Sequence, residues 1–158
     1  MEKKIRIYTD GAAKGNPGPG GFGVIMEFGN VRKEFSKGFR LTTNNRMELW
    51  AVIFALEQVN TSTYPIHVYS DSKYVIDSIV KSWVFGWEKK GFKGKKNADL
   101  WKRYLILHAK FQMTFHWVKG HAGHPQNERC DVLAVAASTS TPLEIDIEYE
   151  NSKEEGLF

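Results

Sequence analysis

Phe22-Gly23-Val24-Ile25-Met26-Glu27-Phe28-Gly29-Asn30-Val31-Arg32-Lys33-Glu34-Phe35-Ser36-Lys37-Gly38-Phe39 is the stretch whose reading decides the fold. Phe22, Val24, Met26 and Phe28 alternate with smaller or polar residues, Gly29-Asn30 has turn chemistry, and the chain returns through Val31, Phe35 and Phe39. Period-two alternation on both sides of a turn signal predicts a β-hairpin. Residues 5–9 ahead of it read as another strand. Behind it, Asn45 and Glu48 are spaced as a capping box, and Leu49, Val52, Ile53, Leu56 and Val59 recur at helical spacing. A long helix to about residue 60 is expected. Pro65 then introduces a strand over residues 66–70, and Val75, Ile76, Ile79, Val80 and Trp83 mark a second helix. An aromatic-rich segment and a Gly/Lys loop lead to a helix through Trp101, Tyr104, Leu105 and His108 with Asn97 as its cap. Met113, Phe115 and Trp117 alternate as a fifth strand, and Pro125 opens a helix expected to end near residue 138. Strands and helices in this order define an α/β layer fold around a mixed five-stranded sheet.

The chain has 158 residues, the size of one ordinary domain. Residues 1–142 are expected to form it, with 143–158 as an acidic tail. In that tail Leu143, Ile145, Ile147 and Tyr149 alternate with Glu144, Asp146, Glu148 and Glu150, a pattern read as disorder or as an added strand. The single cysteine, Cys130, excludes an intramolecular disulfide framework. With no apolar signal-peptide core and no stretch of membrane-spanning length, a cytoplasmic monomer without membrane attachment is expected. The net charge of +4 conceals a strong asymmetry. Between positions 81 and 103 eight basic residues face Glu88 and Asp99, a local net of +6, whereas residues 144–158 have a net of −5. A basic segment of this kind suits a polyanionic partner, and a solvated charged face is the alternative.

Four carboxylates stand at the ends of predicted elements: Asp10 after the first strand, Glu48 at the start of the long helix, Asp71 past the fourth strand and Asp131 in the last helix. Open α/β sheets place their sites at such ends. Singly, each is equally a turn, capping or surface residue. Together, clustered carboxylate oxygens without thiolates suit Mg²⁺ or Mn²⁺, and two such ions can serve phosphodiester hydrolysis. Spacing alone does not establish that they converge. His121, His124 and Cys130 lack a fourth partner at zinc-site spacing. Gly18-Pro19-Gly20-Gly21-Phe22-Gly23 matches a dinucleotide fingerprint in letters, but a strand follows it where a helix N-terminus is needed.

Tyr8-Thr9-Asp10-Gly11-Ala12-Ala13-Lys14-Gly15-Asn16-Pro17-Gly18, Thr42-Thr43-Asn44-Asn45-Arg46-Met47-Glu48-Leu49, Tyr69-Ser70-Asp71-Ser72, and Trp117-Val118-Lys119-Gly120-His121-Ala122-Gly123-His124 with Asn127-Glu128-Arg129-Cys130-Asp131 follow one another in order. This series resembles the bacterial type 1 ribonuclease H family. The resemblance implies a ribonuclease H-like sheet flanked by helices on both faces, and an endonuclease that hydrolyses the RNA strand of RNA–DNA hybrids, leaving 3′-hydroxyl and 5′-phosphate ends. It further implies that Asp10, Glu48, Asp71 and Asp131 hold two Mg²⁺ ions, with Mn²⁺ as a substitute, and that His121 shuttles a proton or eases product release. Gly11 and its loop, Asn16, Asn44 and Asn45 match residues facing the hybrid's minor groove, where the 2′-hydroxyl separates RNA from DNA. Lys73 stands where relatives often carry glutamine. Lys89, Lys90, Lys93, Lys95 and Lys96 resemble a shortened basic protrusion that grips the DNA strand; Trp83, beside them, is expected in the core or against the substrate.

Two other readings are open on the sequence. A polynucleotidyl transferase of the same fold would depend on further domains, and a non-catalytic hybrid-binding module would not need the full carboxylate set.

Overall fold

The computed structural model describes residues 3–120 and 123–155. Strands β1 (Ile5–Ala13), β2 (Gly18–Phe28) and β3 (Val31–Thr42) form an antiparallel meander. Gly29, at φ 58°, supplies the left-handed backbone at the turn where Phe28 pairs with Val31. Strands β4 (Ile66–Ser70) and β5 (Met113–Trp117) add in parallel, giving the order β3-β2-β1-β4-β5. The mixed five-stranded sheet expected from the sequence is present, with helices on both faces.

Helix α1 (Asn44–Glu57) packs against β1 and β2, with α2 (Lys73–Val80) and α4 (Ala98–His108) beside it. Its burial exceeds a single stripe: Met47, Leu49, Ala51, Val52, Ile53, Ala55 and Leu56 are all shielded, because α4 covers the side that the sheet does not. The helix stops at Glu57, three residues short of the expected end, with Gln58 as its C-cap. Its N-cap is Thr43, whose hydroxyl accepts from Arg46 N at 3.2 Å, so the expected capping box of Asn45 and Glu48 does not form. The short helix α3 (Trp83–Lys89) follows α2.

The opposite face is covered by α5 (Pro125–Thr139), which crosses β2, β1 and β3. The helix presents Cys130, Ala134, Ala137 and Ser138, all buried and small, to a strand surface thinned by Gly21, Gly23 and Gly38. A Cβ at those glycines would collide with the carbonyl oxygens of Ala134, Cys130 and Ala137 respectively. The glycine-rich start of β2 is therefore a seat for a helix. Phe22 and Val24, pointing the other way, fill the core beneath α1.

Residues 143–155 differ from the expected disorder or added strand. Glu144 makes one parallel bridge to Phe39, donating to Gly38 O at 2.8 Å and accepting from Arg40 N at 2.9 Å. The chain then turns into helix α6 (Ile147–Glu155) against β3. Alternation of acidic and apolar residues misled because Asp146 is fully buried in an ion pair with Arg46, and Glu150 is bound by Arg40.

Candidate active site

Asp10 lies within β1 rather than at its end, because β1 continues to residue 13 by pairing with β2. On its other edge the parallel pairing with β4 stops at Tyr8↔Tyr69. Beyond that register a cleft opens beside Asp10, at the C-terminal ends of the two parallel strands, where α/β sheets characteristically place ligands. The next residue, Gly11, allows α1 to approach: a Cβ there would overlap the backbone of Met47 and Glu48. That approach lets Gly11 N donate to Glu48 Oε1 and brings a helix carboxylate beside a strand carboxylate.

Asp71 is carried by a turn that is held at several points. Ser70 Oγ accepts from Ser72 N at 3.1 Å, Ser72 Oγ accepts from Val75 N at 3.2 Å as the cap of α2, and Trp117 Nε1 donates to Asp71 O at 3.1 Å. Asp10, Glu48 and Asp71 each place a carboxylate oxygen within 4.8 Å of the others. Asp131, from α5, lines the same cleft and a narrow recess shared with Asp10, Asp71, Lys119, Gly120 and Asn127. All four predicted carboxylates thus reach one cleft, three of them as a tight cluster.

Glu48 is 5 % exposed and Asp10 9 %. Burial, with the charges of Asp71 and Asp131 added, pushes Asp10 up to about 7, against the opposing effect of hydrogen bonds from Glu48 and Gly11. Burial and the neighbouring Asp10 hold Glu48 well above the carboxylate range. Among the described residues no lysine or arginine ion pair compensates any of the four. Close, uncompensated carboxylate oxygens, with Glu48 and Asp10 buried and Asp71 half-buried, are the donor set that hard divalent cations require, so the residues fit such ions.

Gly11, Asn44, Asn45 and Lys73 line the cleft, which has a volume of about 430 Å³. Asn16 reaches it indirectly, its Oδ1 accepting from Asn44 N at 2.9 Å. The Lys73 ammonium sits 4.1 Å from the centre of the Trp117 ring. His121 lies outside the described residues. His124 precedes α5 without a side-chain capping bond and borders the recess. Cys130 is buried elsewhere, donating to Tyr8 O at 3.3 Å, and burial pushes its thiol up, which is no setting for a zinc thiolate.

Lys89, at the end of α3, and Lys90, Lys93, Lys95 and Lys96, after it, are exposed. Trp83 is 47 % exposed with Lys81 over its ring, so the expectation that it joins the core fails, and Trp87 packs against Trp101 in its place. Phe92, buried at φ 59°, anchors the basic loop. Sequence reasoning passed over Phe92, since one aromatic among lysines carries no periodicity. It also passed over Arg46, although Arg46 stands inside the Asn-Asn-Arg-Met-Glu motif.

Fold and site together define an α/β protein whose cleft is built around a carboxylate centre for hard cations. Residues 2–139 match the RNase H family model. A ribonuclease H of Rippkaea orientalis is 51 % identical over 154 residues, covering 94 % of each chain, and one of Desulforamulus reducens is 51 % identical over 150 residues, covering 92 % of this chain and 94 % of its own. Among solved structures, LC9-RNase H1, described as a type 1 RNase H with the type 2 active-site motif, superposes with a TM-score of 0.77 at 32 % identity, over 87 % of this chain and 73 % of that one. RNase H1 of Halobacterium salinarum superposes at 0.66 with 28 % identity, over 85 % and 96 %. The chain belongs to the RNase H family, among bacterial relatives that share about half its residues.

Proposed function

We propose that the chain is an endonuclease that hydrolyses the RNA strand of RNA–DNA hybrids with two divalent cations, Mg²⁺ or in its place Mn²⁺, and leaves 3′-hydroxyl and 5′-phosphate ends. The observation that carries this reading is the carboxylate cluster: Asp10, Glu48 and Asp71 within 4.8 Å, uncompensated, in a cleft also bordered by Asp131. Asp10, Glu48, Asp71 and Asp131 would together hold the ions. When bound, the cations supply activation of the attacking water and stabilisation of the leaving 3′-oxygen.

The protein's own residues do the rest. Burial of Glu48 and Asp10 keeps competing water away and makes their oxygens reachable from the cleft alone. The Gly11 backbone and the Asn44 and Asn45 amides line the wall where a ribose would lie, and they can bond a 2′-hydroxyl that DNA lacks. His121, next in sequence to Gly120, would accept or deliver the proton exchanged as the phosphorus–oxygen bond breaks. Lys73, placed on Trp117, offers a charge to a phosphate entering the cleft.

A cleavage assay with end-labelled hybrid, beside matched duplex RNA and duplex DNA and with each cation titrated from a chelated start, tests the reading. Cation-dependent cutting of the RNA strand of the hybrid alone, with products that a kinase cannot label at the 5′ end before dephosphorylation, is expected. Equal cutting of duplex RNA, or cutting unaffected by chelation, would overturn it.

A further inference from the structure

Helix α6 is held in place by a saturated guanidinium. The Arg46 side chain is 3 % exposed and comes from the first turn of α1. Its Nε and Nη2 donate to Asp146 at 2.8 and 2.9 Å, its Nη1 and Nη2 to Asp99 at 2.9 and 2.8 Å, and Nη1 also to Asn97 at 3.4 Å. All five donors are therefore engaged, which fixes the group far better than a single surface pair would. Asp146 also accepts from Thr42 Oγ1 at 2.8 Å, Glu150 accepts both Arg40 donors, and the Tyr149 ring lies 5.6 Å from the guanidinium carbon. These contacts tie the segment to β3, α1 and α4 at once.

So held, α6 faces the basic loop across a groove of about 850 Å³. Asn45 lines both this groove and the carboxylate cleft, so the two adjoin at that residue. Lys95 and Lys96 stand on one wall and Lys153 on the other, its ammonium 5.5 Å over the Tyr149 ring. Arg46 stands between Asp99 and the buried Asp146, a cluster with one carboxylate in excess, so around the groove three lysines stand against Glu148 and that one charge among the described side chains. The lining is otherwise mainly amide and hydroxyl groups, which suit a polar, anionic occupant.

We infer that α6 is the outer wall of the substrate groove, and that Lys153, with Ser152 beside it, receives a sugar–phosphate backbone of the hybrid as it leaves the cleft past Asn45. This rests on the hybrid reading given above and assigns the acidic C-terminal segment a part in binding. A basic contact on an otherwise acidic helix is positioned by its neighbours: Glu150 is turned to Arg40, and Asp146 to Arg46.

The test uses the full chain in an Asp10→Asn background, which preserves the RNA, and measures hybrid affinity across a salt series for Lys153, Lys153→Ala, Lys153→Glu and Lys153→Arg. Lys110→Ala, at the far end of α1 beside Leu56 and Glu57, is the control. Removal of one phosphate contact should weaken binding several-fold at low salt and reduce the slope of log affinity against log salt by about one. Lys153→Glu should lose more, Lys153→Arg should keep the parental slope, and Lys110→Ala should overlap the parent. Lys153→Ala and Lys153→Glu lines that overlap a hybrid-binding parent overturn the groove assignment and leave the hybrid reading standing. A parent that binds no hybrid overturns both.

Discussion

Asp10 is kept out of water by the same packing that makes it useful, and its titration carries the cost of that arrangement. Its folded value of about 7 lies above the ordinary 3.8, and Glu48 is displaced in the same direction. A raised folded value means that the folded state holds protons more tightly than the unfolded chain. That contribution to stability is complete below about pH 4 and is lost as the pH rises through 7, on the order of a few kcal/mol for Asp10, with Glu48 acting in the same direction. Without cations, Asp10→Asn should therefore raise the melting temperature most at pH 8, less at pH 5, and hardly at pH 3, where the carboxyl is neutral in the folded and unfolded chain alike. Added Mg²⁺ should stabilise the unmodified protein more at pH 8 than at pH 5, because the ions compete with those protons. Calorimetry at these pH values reads both effects, and equal shifts at all of them would count against the buried pair. The same variant should lose more than about a thousandfold in cleavage rate while still binding hybrid, since an amide cannot replace a carboxylate that helps hold the cations. At position 121 a smaller loss is expected: His121→Ala should slow turnover by about a hundredfold, as a missing proton shuttle does when solvent partly substitutes. Wild-type turnover of that variant across the pH range would leave His121 without a chemical role.

The contact between α5 and the sheet works by smallness on both sides, and this sets a severe limit on substitution. Gly23→Ala would drive a methyl group into the Cys130 carbonyl, on the turn of α5 that carries Asp131. Overpacking of this kind costs about 1–3 kcal/mol, and here the relief must come from lifting the helix. Denaturant unfolding should show that loss, and turnover should fall beyond what the unfolded fraction explains, because Asp131 moves with α5. Intact turnover in a destabilised Gly23→Ala protein would show that the helix tolerates the shift. Elements that carry a local signal were legible from pattern alone: the hairpin about Gly29, and the helix opened by Pro125. The cap of α1 was not, because Glu48 has a stronger partner in Gly11, 37 residues away, than in its own first turn. Nor was α6, whose charges are paired with Arg40 and Arg46 about a hundred residues earlier. The four carboxylates could be selected by their places at element ends, but their convergence was legible only through the ordered motifs. What joins them in space is the Gly11 contact and the termination of β1–β4 pairing at Tyr69, neither of which has a local signature.

Over the whole molecule, the formal charge of +4 is distributed so that the carboxylate cleft is acidic and its approach is basic. A polyanion would be repelled by the four carboxylates alone, and the exposed lysines after α3 offset that repulsion at a distance from them. The prediction at this scale concerns Lys89, Lys90, Lys93, Lys95 and Lys96 together. If they follow the backbone of the hybrid, each phosphate they neutralise releases condensed counterions, and log affinity falls linearly with log salt in proportion to their number. Replacing all five with alanine should flatten that line by several units and raise KM strongly at low salt, with a smaller effect on kcat, since the lysines stand apart from the carboxylate cluster. Single replacements among these five are a poor probe, because the lysines are clustered and their basic neighbours in the loop compensate. Lys95 lies 5.1 Å from the Trp87 ring and so has a preferred position, whereas the others are set mainly by the loop that Phe92 anchors. The alternative, a lysine-rich surface kept for solubility, predicts parallel salt lines and an unchanged KM. The contribution of Lys153 is separable by the same measurement: if α6 forms the opposite wall, the five-lysine variant retains a residual salt slope to which Lys73 and Lys153 both contribute, and adding Lys153→Ala reduces it by about one. A five-lysine variant whose line coincides with that of the parent would take the basic loop out of the substrate's path and leave the cleft to bind by its amides, by Lys73 and by the cations it holds.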